Sequence, residues 1–282
     1  MAWTSCEELR VEEYVGRLAP SPTGYLHLGH AWTFWQAAER TRTFGGRLLL
    51  RIDDLDRDRS KPEFLAACEE DLHWLGLAWE MPIVRQSERI EMYKEALKRL
   101  IAAGLAYPCA CSRRELAIAA LAPHDEDDEP IYNGACRSVQ AAEFRDGVNY
   151  RLRTPDRERV VVEDGSLGSQ SYECGRDFGD FLLWRKDGVP SYQLATVVDD
   201  ADLGVTEVVR GCDLLKSAAR QILVARGLGL VAPAWFHVEL LRDDRGIRLA
   251  KRHDALAIRR LREQGMAADE VVAMASERAR RR

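Results

Sequence analysis

Two hydrophobic rhythms alternate along the first hundred residues. Short, mainly apolar runs at Tyr14 to Leu18 and Arg47 to Ile52 have the length of short buried strands. The stretch between them, from about Gly29 to Phe44, reads as a helix closed by Gly45-Gly46, as glycine closes a C-terminus. Ser60-Lys61-Pro62 predicts the next helix start, with Ser60 as N-cap and Pro62 in the first turn. Phe64, Leu65, Cys68, Leu72 and Leu75 then recur at helical spacing, which makes Cys68 a core position. Ser87 is expected to cap a third helix with Ile90, Tyr93, Leu97, Leu100 and Ile101 on one face. Strands alternating with helices in this way predict an α/β fold with a parallel sheet.

The alternation breaks at Tyr107-Pro108. Up to about Pro190 the pattern is irregular, with short strands expected at Asn149 to Arg153 and Val160 to Glu163. It resumes with a helix near Gln193, a strand Val205 to Val209, a helix Leu214 to Gly227 and a strand Phe236 to Leu241. The economical description is a Rossmann-like, parallel-sheet nucleotide-binding domain split by a central insertion of mixed α/β structure. The expected boundaries are 1–106 for the first half, 107–190 for the insertion, 191–240 for the second half and 241–282 for a terminal loop with a short helical segment, such as Leu256 to Gln264.

Composition narrows the class. The chain has 282 residues, 46% hydrophobic and 31% charged, as globular chains do. No run reaches the roughly 20 apolar residues of a membrane-spanning helix. Met1 to Val11 carries acids and no apolar core, unlike a signal peptide. A cytoplasmic monomer that does not engage membranes is expected. The net charge of −5 excludes a wholly basic nucleic-acid binder but leaves room for a local basic patch. From Lys251 to Arg282 there are nine Lys/Arg against five Asp/Glu. The acidic run Asp125 to Glu129 reads as solvated loop. Seven cysteines form an odd count, against a disulfide framework.

The sharpest chemical signal is Arg17-Leu18-Ala19-Pro20-Ser21-Pro22-Thr23-Gly24-Tyr25-Leu26-His27-Leu28-Gly29-His30. It follows a strand and opens a helix, where backbone N–H groups and the helix dipole favour phosphate. His27 and His30 can project from one turn, and Gly29 allows a nucleotide close to the backbone. A second signal is Cys109-Ala110-Cys111, followed twenty residues later by Tyr132-Asn133-Gly134-Ala135-Cys136. Three thiols suit zinc, which normally takes four ligands. Ser112 to Glu115 forms a capping box just after Cys111, and His124 is a conventional candidate for the fourth ligand.

The first segment resembles the opening signature of class I aminoacyl-tRNA synthetases in their glutamyl form. Four more segments follow in that family's order: Leu50-Arg51-Ile52-Asp53-Asp54-Leu55-Asp56, Pro190 to Asp200, Val208-Val209-Arg210-Gly211, and Arg248-Leu249-Ala250-Lys251-Arg252 in place of the lysine loop. The resemblance implies ATP-dependent activation of L-glutamate. His27, Gly29, His30 and Lys251 would bind ATP, with His27, His30 and Lys251 serving the transition state. Arg17, Ala19, Ser21, Asp53, Tyr192 and Arg210 would form the glutamate pocket, and Mg²⁺ would accompany ATP. Two arginines fit a dicarboxylic substrate, since each can form bidentate carboxylate pairs. Three positions depart from the family pattern: Asp53 for Glu, Ala250 for Ser and Arg248 for Lys.

The C-x-C … Y-x-x-x-C-R pattern is similar to that of one subgroup, the glutamyl-Q tRNA(Asp) synthetases. This implies one structural Zn²⁺ on Cys109, Cys111, Tyr132 and Cys136. Only 31 residues follow Lys251, so no anticodon-binding domain is expected. The subgroup activates glutamate without tRNA and attaches it to the queuosine base in the anticodon of tRNA(Asp). The basic residues Arg259, Arg260, Arg262 and Arg278 to Arg282 could touch that RNA. Two alternatives stay open: a short glutamyl-tRNA synthetase charging tRNA(Glu), and a catalytically retired RNA-binding paralogue.

Overall fold

The computed structural model describes residues 13–111, 131–241 and 256–280. Strand β1 (Val15–Leu18), helix α1 (Leu28–Thr43), β2 (Arg47–Ile52), α2 (Pro62–Trp74), β3 (Glu80–Arg85) and α3 (Ile90–Ala102) build the first half. β4 (Ala106–Cys109), β5 (Asn149–Leu152), β6 (Arg159–Asp164), β7 (Gly168–Glu173) and β8 (Leu182–Trp184) follow. The second half is α4 (Tyr192–Asp202), β9 (Glu207–Gly211), α5 (Leu215–Leu228) and β10 (Ala234–Val238), and α6 (Ile258–Glu263) and α7 (Ala268–Arg280) complete the described chain.

The parallel sheet is present but divided. β1, β2 and β3 form one parallel unit, and β9 and β10 pair in parallel in another. β1 and β9 meet along a seam with few cross-links. Thr206 N–H donates to Val15 O at 2.9 Å, and Val15 N–H donates to the Thr206 hydroxyl at 2.9 Å. The strand sequence β3-β2-β1, then β9-β10, reverses direction at this seam. In open α/β sheets such a reversal is where ligands bind, outside the carboxyl ends of the strands.

The structure redraws several local expectations. β6 and β7 lie within 107–190, yet β6 pairs in parallel with β10, Trp235 opposite Asp164. They therefore extend the second-half sheet, and one apolar core runs from Leu97 and Leu100 through Val160 and Phe181 to Leu194 and Trp235. β4, β5 and β8 form a separate antiparallel sheet. The second core gathers Leu18, Phe34, Leu50, Cys68 and Leu72, and takes in Val271 and Ala275 from α7. Ser60 is not the cap of α2: Lys61 holds that position and makes no side-chain cap bond, since an ammonium has no acceptor to offer the first-turn N–H groups; Pro62, which lacks an N–H, leaves one fewer of them to satisfy. Ser87 does not cap α3 either; its N–H and hydroxyl both donate to the Asp54 carboxylate, at 2.8 and 2.6 Å. β9 starts two residues later than expected, at Glu207, and β10 two earlier, at Ala234. Gly45 closes α1 in the left-handed conformation at φ 63°, as the pattern indicated.

Candidate active site and metal centre

The carboxyl ends of β1, β2, β9 and β10 converge at the seam, and the candidate residues sit on them. Arg17 is the third residue of β1 and is buried; its Nη1 donates across the seam to Val209 O at 3.1 Å. Its Nε lies 3.4 Å from Asp200 Oδ1. Ala19 and Ser21 follow in the loop, Ala19 half-buried and Ser21 exposed. Asp53 immediately follows β2, its N–H donating to Pro20 O at 2.9 Å, which ties the two strand ends together.

His27 and His30 are more tightly organised than two projecting rings. His27 is the N-cap of α1, and its Nδ1 accepts the Gly29 N–H at 3.1 Å. His30 Nδ1 accepts the His27 N–H at 3.1 Å, closing a reciprocal capping box. Both Nδ1 atoms are thus acceptors, so each neutral ring carries its proton on Nε2. The ring centroids are 3.9 Å apart. Gly29 has a structural reason of its own: a Cβ there would stand 2.9 Å from His27 Cε1. The chain after the lysine loop returns to this point, where Ala257 bridges His27 and Ile258 N–H donates to Leu26 O at 2.9 Å. Arg248, Ala250 and Lys251, with Ser112 to Glu115, His124 and Asp125 to Glu129, lie outside the described residues.

Arg210, the last residue but one of β9, is buried. Its Nη1 donates to the Tyr192 hydroxyl at 3.1 Å and to Gln221 Oε1 at 2.9 Å, its Nη2 to Leu214 O at 3.2 Å, and its Nε to His237 Nε2 at 3.1 Å. Its guanidinium carbon stands 4.6 Å from the centre of the Trp235 ring. Burial, with the neighbouring Arg17 cation, pulls the Arg210 pKa below that of a free guanidinium. Tyr192 is presented on the first turn of α4, behind the Ser191 cap that accepts the Leu194 N–H.

Four residues without a sequence-assigned role complete the site. Arg51, wholly buried in β2, donates through Nε to Asp53 Oδ1 at 2.7 Å and through Nη1 to Asp200 Oδ1 at 2.7 Å. Asp53 is therefore paired with a guanidinium of its own chain. Burial pushes its carboxyl up to about 6 despite the Arg51 charge. Asp199, also buried, accepts from Gln86, Arg89 and the Tyr93 hydroxyl at 2.8 Å each. The other two are His237 on β10 and Asp164 at the end of β6. His237 Nδ1 lies 2.6 Å from Asp164 Oδ2. A cation inside Arg47 to Ile52 and a histidine inside Phe236 to Leu241, both apolar strand runs, were the available signals.

The second cluster assembles as the cysteine spacing indicated. The Sγ atoms of Cys109, Cys111 and Cys136 lie within 4.8 Å of one another. The Tyr132 hydroxyl stands 3.2 Å from Cys111 Sγ and 3.6 Å from Cys109 Sγ. The Tyr132 hydroxyl, with the Ala110 N–H, lowers the Cys136 thiol pKa below its usual value. Three soft sulfur donors and one phenol oxygen around one point fit a tetrahedral zinc ion. Arg151 backs the cluster, its Nε donating to Cys109 Sγ at 3.4 Å and its guanidinium lying 4.0 Å from the centre of the Tyr132 ring.

Residues 13–278 match the family described as tRNA synthetases class I (E and Q), catalytic domain, and the chain belongs to that family. Within it, the chain is 46% identical to a glutamyl-Q tRNA(Asp) synthetase of Nitratidesulfovibrio vulgaris, over 90% of this chain and 82% of that protein. It is 47% identical to one from Symbiobacterium thermophilum, over 91% and 84%. A glutamate–tRNA ligase of Methylorubrum extorquens is 43% identical over 89% of this chain, which spans 53% of that protein. Among solved structures, a glutamate-tRNA synthetase from Elizabethkingia anophelis superimposes with a TM-score of 0.72 at 27% identity, over 86% of this chain and 53% of that one. Among the described residues no helix is long and apolar enough to cross a membrane.

Proposed function

We propose that this chain activates L-glutamate with ATP, without tRNA, and then transfers glutamate to the queuosine base in the anticodon of tRNA(Asp). The observation that carries the reading is the placement of Arg17 and Arg210 at the sheet's reversal point, beside the helix start formed by His27, Gly29 and His30. An oxygen of the glutamate α-carboxylate attacks the α-phosphorus of ATP. The bond to the bridging oxygen breaks, and pyrophosphate leaves. Little covalent chemistry falls to the protein, whose task is positioning and charge stabilisation.

Each residue has a defined task in this reading. The Nε2–H groups of His27 and His30 donate to ATP phosphates at the N-terminus of α1. Lys251 balances the charge on the departing pyrophosphate, and Mg²⁺ arrives with ATP. Arg210, held by Tyr192, takes one carboxylate of the amino acid; Arg17, Ala19 and Ser21 line the rest. Asp53 offers its carboxylate to the substrate ammonium while sharing it with Arg51. Cys109, Cys111, Tyr132 and Cys136 hold one structural Zn²⁺, which braces the segment leading into β5.

The test is ATP–pyrophosphate exchange with glutamate and no tRNA, followed by incubation with labelled glutamate and separated tRNAs. The expected label is on queuosine-containing tRNA(Asp) and absent from the same tRNA of a queuosine-free host. Label on the 3′ end of tRNA(Glu) would favour the short glutamyl-tRNA synthetase; no exchange at all would favour a retired RNA binder. Lys251→Ala should abolish exchange, and a variant retaining most activity removes that lysine from the mechanism.

A further inference from the structure

We infer that Asp164 and His237 form a positioning relay that sets the guanidinium of Arg210 for the acidic side chain of the amino acid substrate. The inference rests on the glutamate-activating reading above and adds two residues that its motifs do not contain.

The direction of the hydrogen bonds carries the argument. An arginine Nε–H only donates, so His237 Nε2, 3.1 Å away, must accept and carry no proton. The imidazole proton is then on Nδ1, which donates to Asp164 Oδ2 at 2.6 Å. Asp164 is itself fixed as an acceptor on both oxygens. Oδ1 accepts the N–H groups of Ser166 and Leu167, at 3.0 and 2.8 Å, and Oδ2 also accepts the His237 N–H at 3.1 Å. An asparagine at this place would turn its amide against one of these donors in either orientation. The tautomer of His237 therefore follows from the carboxylate of Asp164, and the rotation of the Arg210 fork follows from the tautomer.

The rest of the site agrees. His237 is fully buried, and burial together with the Arg210 cation pulls its pKa down to about 4, so the ring is neutral near pH 7 despite the carboxylate. Burial pushes Asp164 up, but the His237 hydrogen bond and the Leu167 and Ser166 N–H groups hold it below the usual carboxylate range. Four of the five N–H groups of Arg210 are committed to the protein among the described residues. Were His237 to present Nε2–H, two donors would face each other and the fork would have to turn, carrying the substrate-facing edge with it. Asp164 comes from β6, the strand that joins β10 from outside the regular alternation.

Three measurements test the relay. Nitrogen-15 imidazole spectra of the full chain at pH 7 should show His237 protonated on Nδ1 and bare on Nε2. An Nε2–H or doubly protonated ring overturns the proposal, whatever the enzyme does. In exchange assays, His237→Leu removes the acceptor and should raise KM for glutamate about tenfold or more, leaving KM for ATP and kcat within about twofold. His237→Gln can place a carbonyl oxygen near the old Nε2 and should recover most of that loss. Equal glutamate KM for the Leu and Gln variants, or ATP KM rising in step, overturns it. Asp164→Asn should reproduce the Leu phenotype and shift the tautomer of His237. A wild-type enzyme inactive with glutamate would instead refute the functional reading, while the spectrum still decides the relay.

Discussion

Arg51→Met is the most informative single perturbation of this molecule. The side chain is wholly buried, and its guanidinium lies 2.7 Å from Asp53, 2.7 Å from Asp200 and 3.7 Å from Asp199. Removing one partner of a buried ion pair costs roughly 3–5 kcal/mol. Losses over the three acids do not add up, because Arg89 still meets Asp199 at 2.8 Å and Arg17 still lies 3.4 Å from Asp200. Asp53 loses the most. For a chain of this size the loss corresponds to a fall in melting temperature of roughly 6–20 °C. The sign of the pH dependence is diagnostic. The Asp53 carboxyl sits at about 6 in the folded state, above its unfolded value, so the folded state binds more protons and stability falls as pH rises through that range. Without Arg51 the folded value climbs further. The destabilisation should therefore be smallest near pH 5 and grow toward pH 8. Urea unfolding followed by tryptophan fluorescence at pH 5, 6 and 7.5 measures it. Adding Asp53→Asn removes the stranded charge and should recover part of the loss at pH 7.5. A deficit independent of pH, or a double variant weaker than the single one, refutes the electrostatic account.

Other expectations are narrower. Gly29→Ala gains helix propensity of up to about 1 kcal/mol but pushes on the His27 ring, so KM for ATP should rise while thermal stability holds or improves. Arg210→Lys keeps the charge but loses the fork that bonds His237, Tyr192, Gln221 and Leu214; glutamate KM should rise roughly 10- to 100-fold, read by exchange assay. Cys136→Ser removes one of three thiolates, and zinc measured by atomic absorption should fall well below about one ion per chain.

Much of the framework was legible because it depends on local pattern. The glycine stop of α1, the helical spacing around Cys68 and the strand ends carrying Arg17 and Arg210 follow from periodicity and motif order. The grouping of Cys109, Cys111 and Cys136 was also legible in their spacing, whereas Tyr132 came only from the family resemblance. What stayed hidden depends on partners remote in sequence. Asp164 and His237 meet because β6 joins β10 in parallel, a pairing with no local signature. Ser60 and Ser87 look like caps, yet Ser87 is taken up by Asp54 from another element. Arg51 was visible within a motif, but its task follows from two aspartates at the far end of α4. Gly29 proved to have a reason within the chain itself, the neighbouring His27 imidazole.

The last described helix has a practical consequence. Val271 and Ala275 of α7 share a core with Phe34 and Ala37 of α1, the helix whose first turn is the histidine pair. Clipping the arginine-rich tail looks like a clean way to ask how RNA is recruited. Any cut that reaches Val271 would also unseat α1, and the damage would register first as weakened nucleotide binding. An experimenter would then be measuring the wrong ligand, so charge-reversal on the outer surface of α7 is the sounder design.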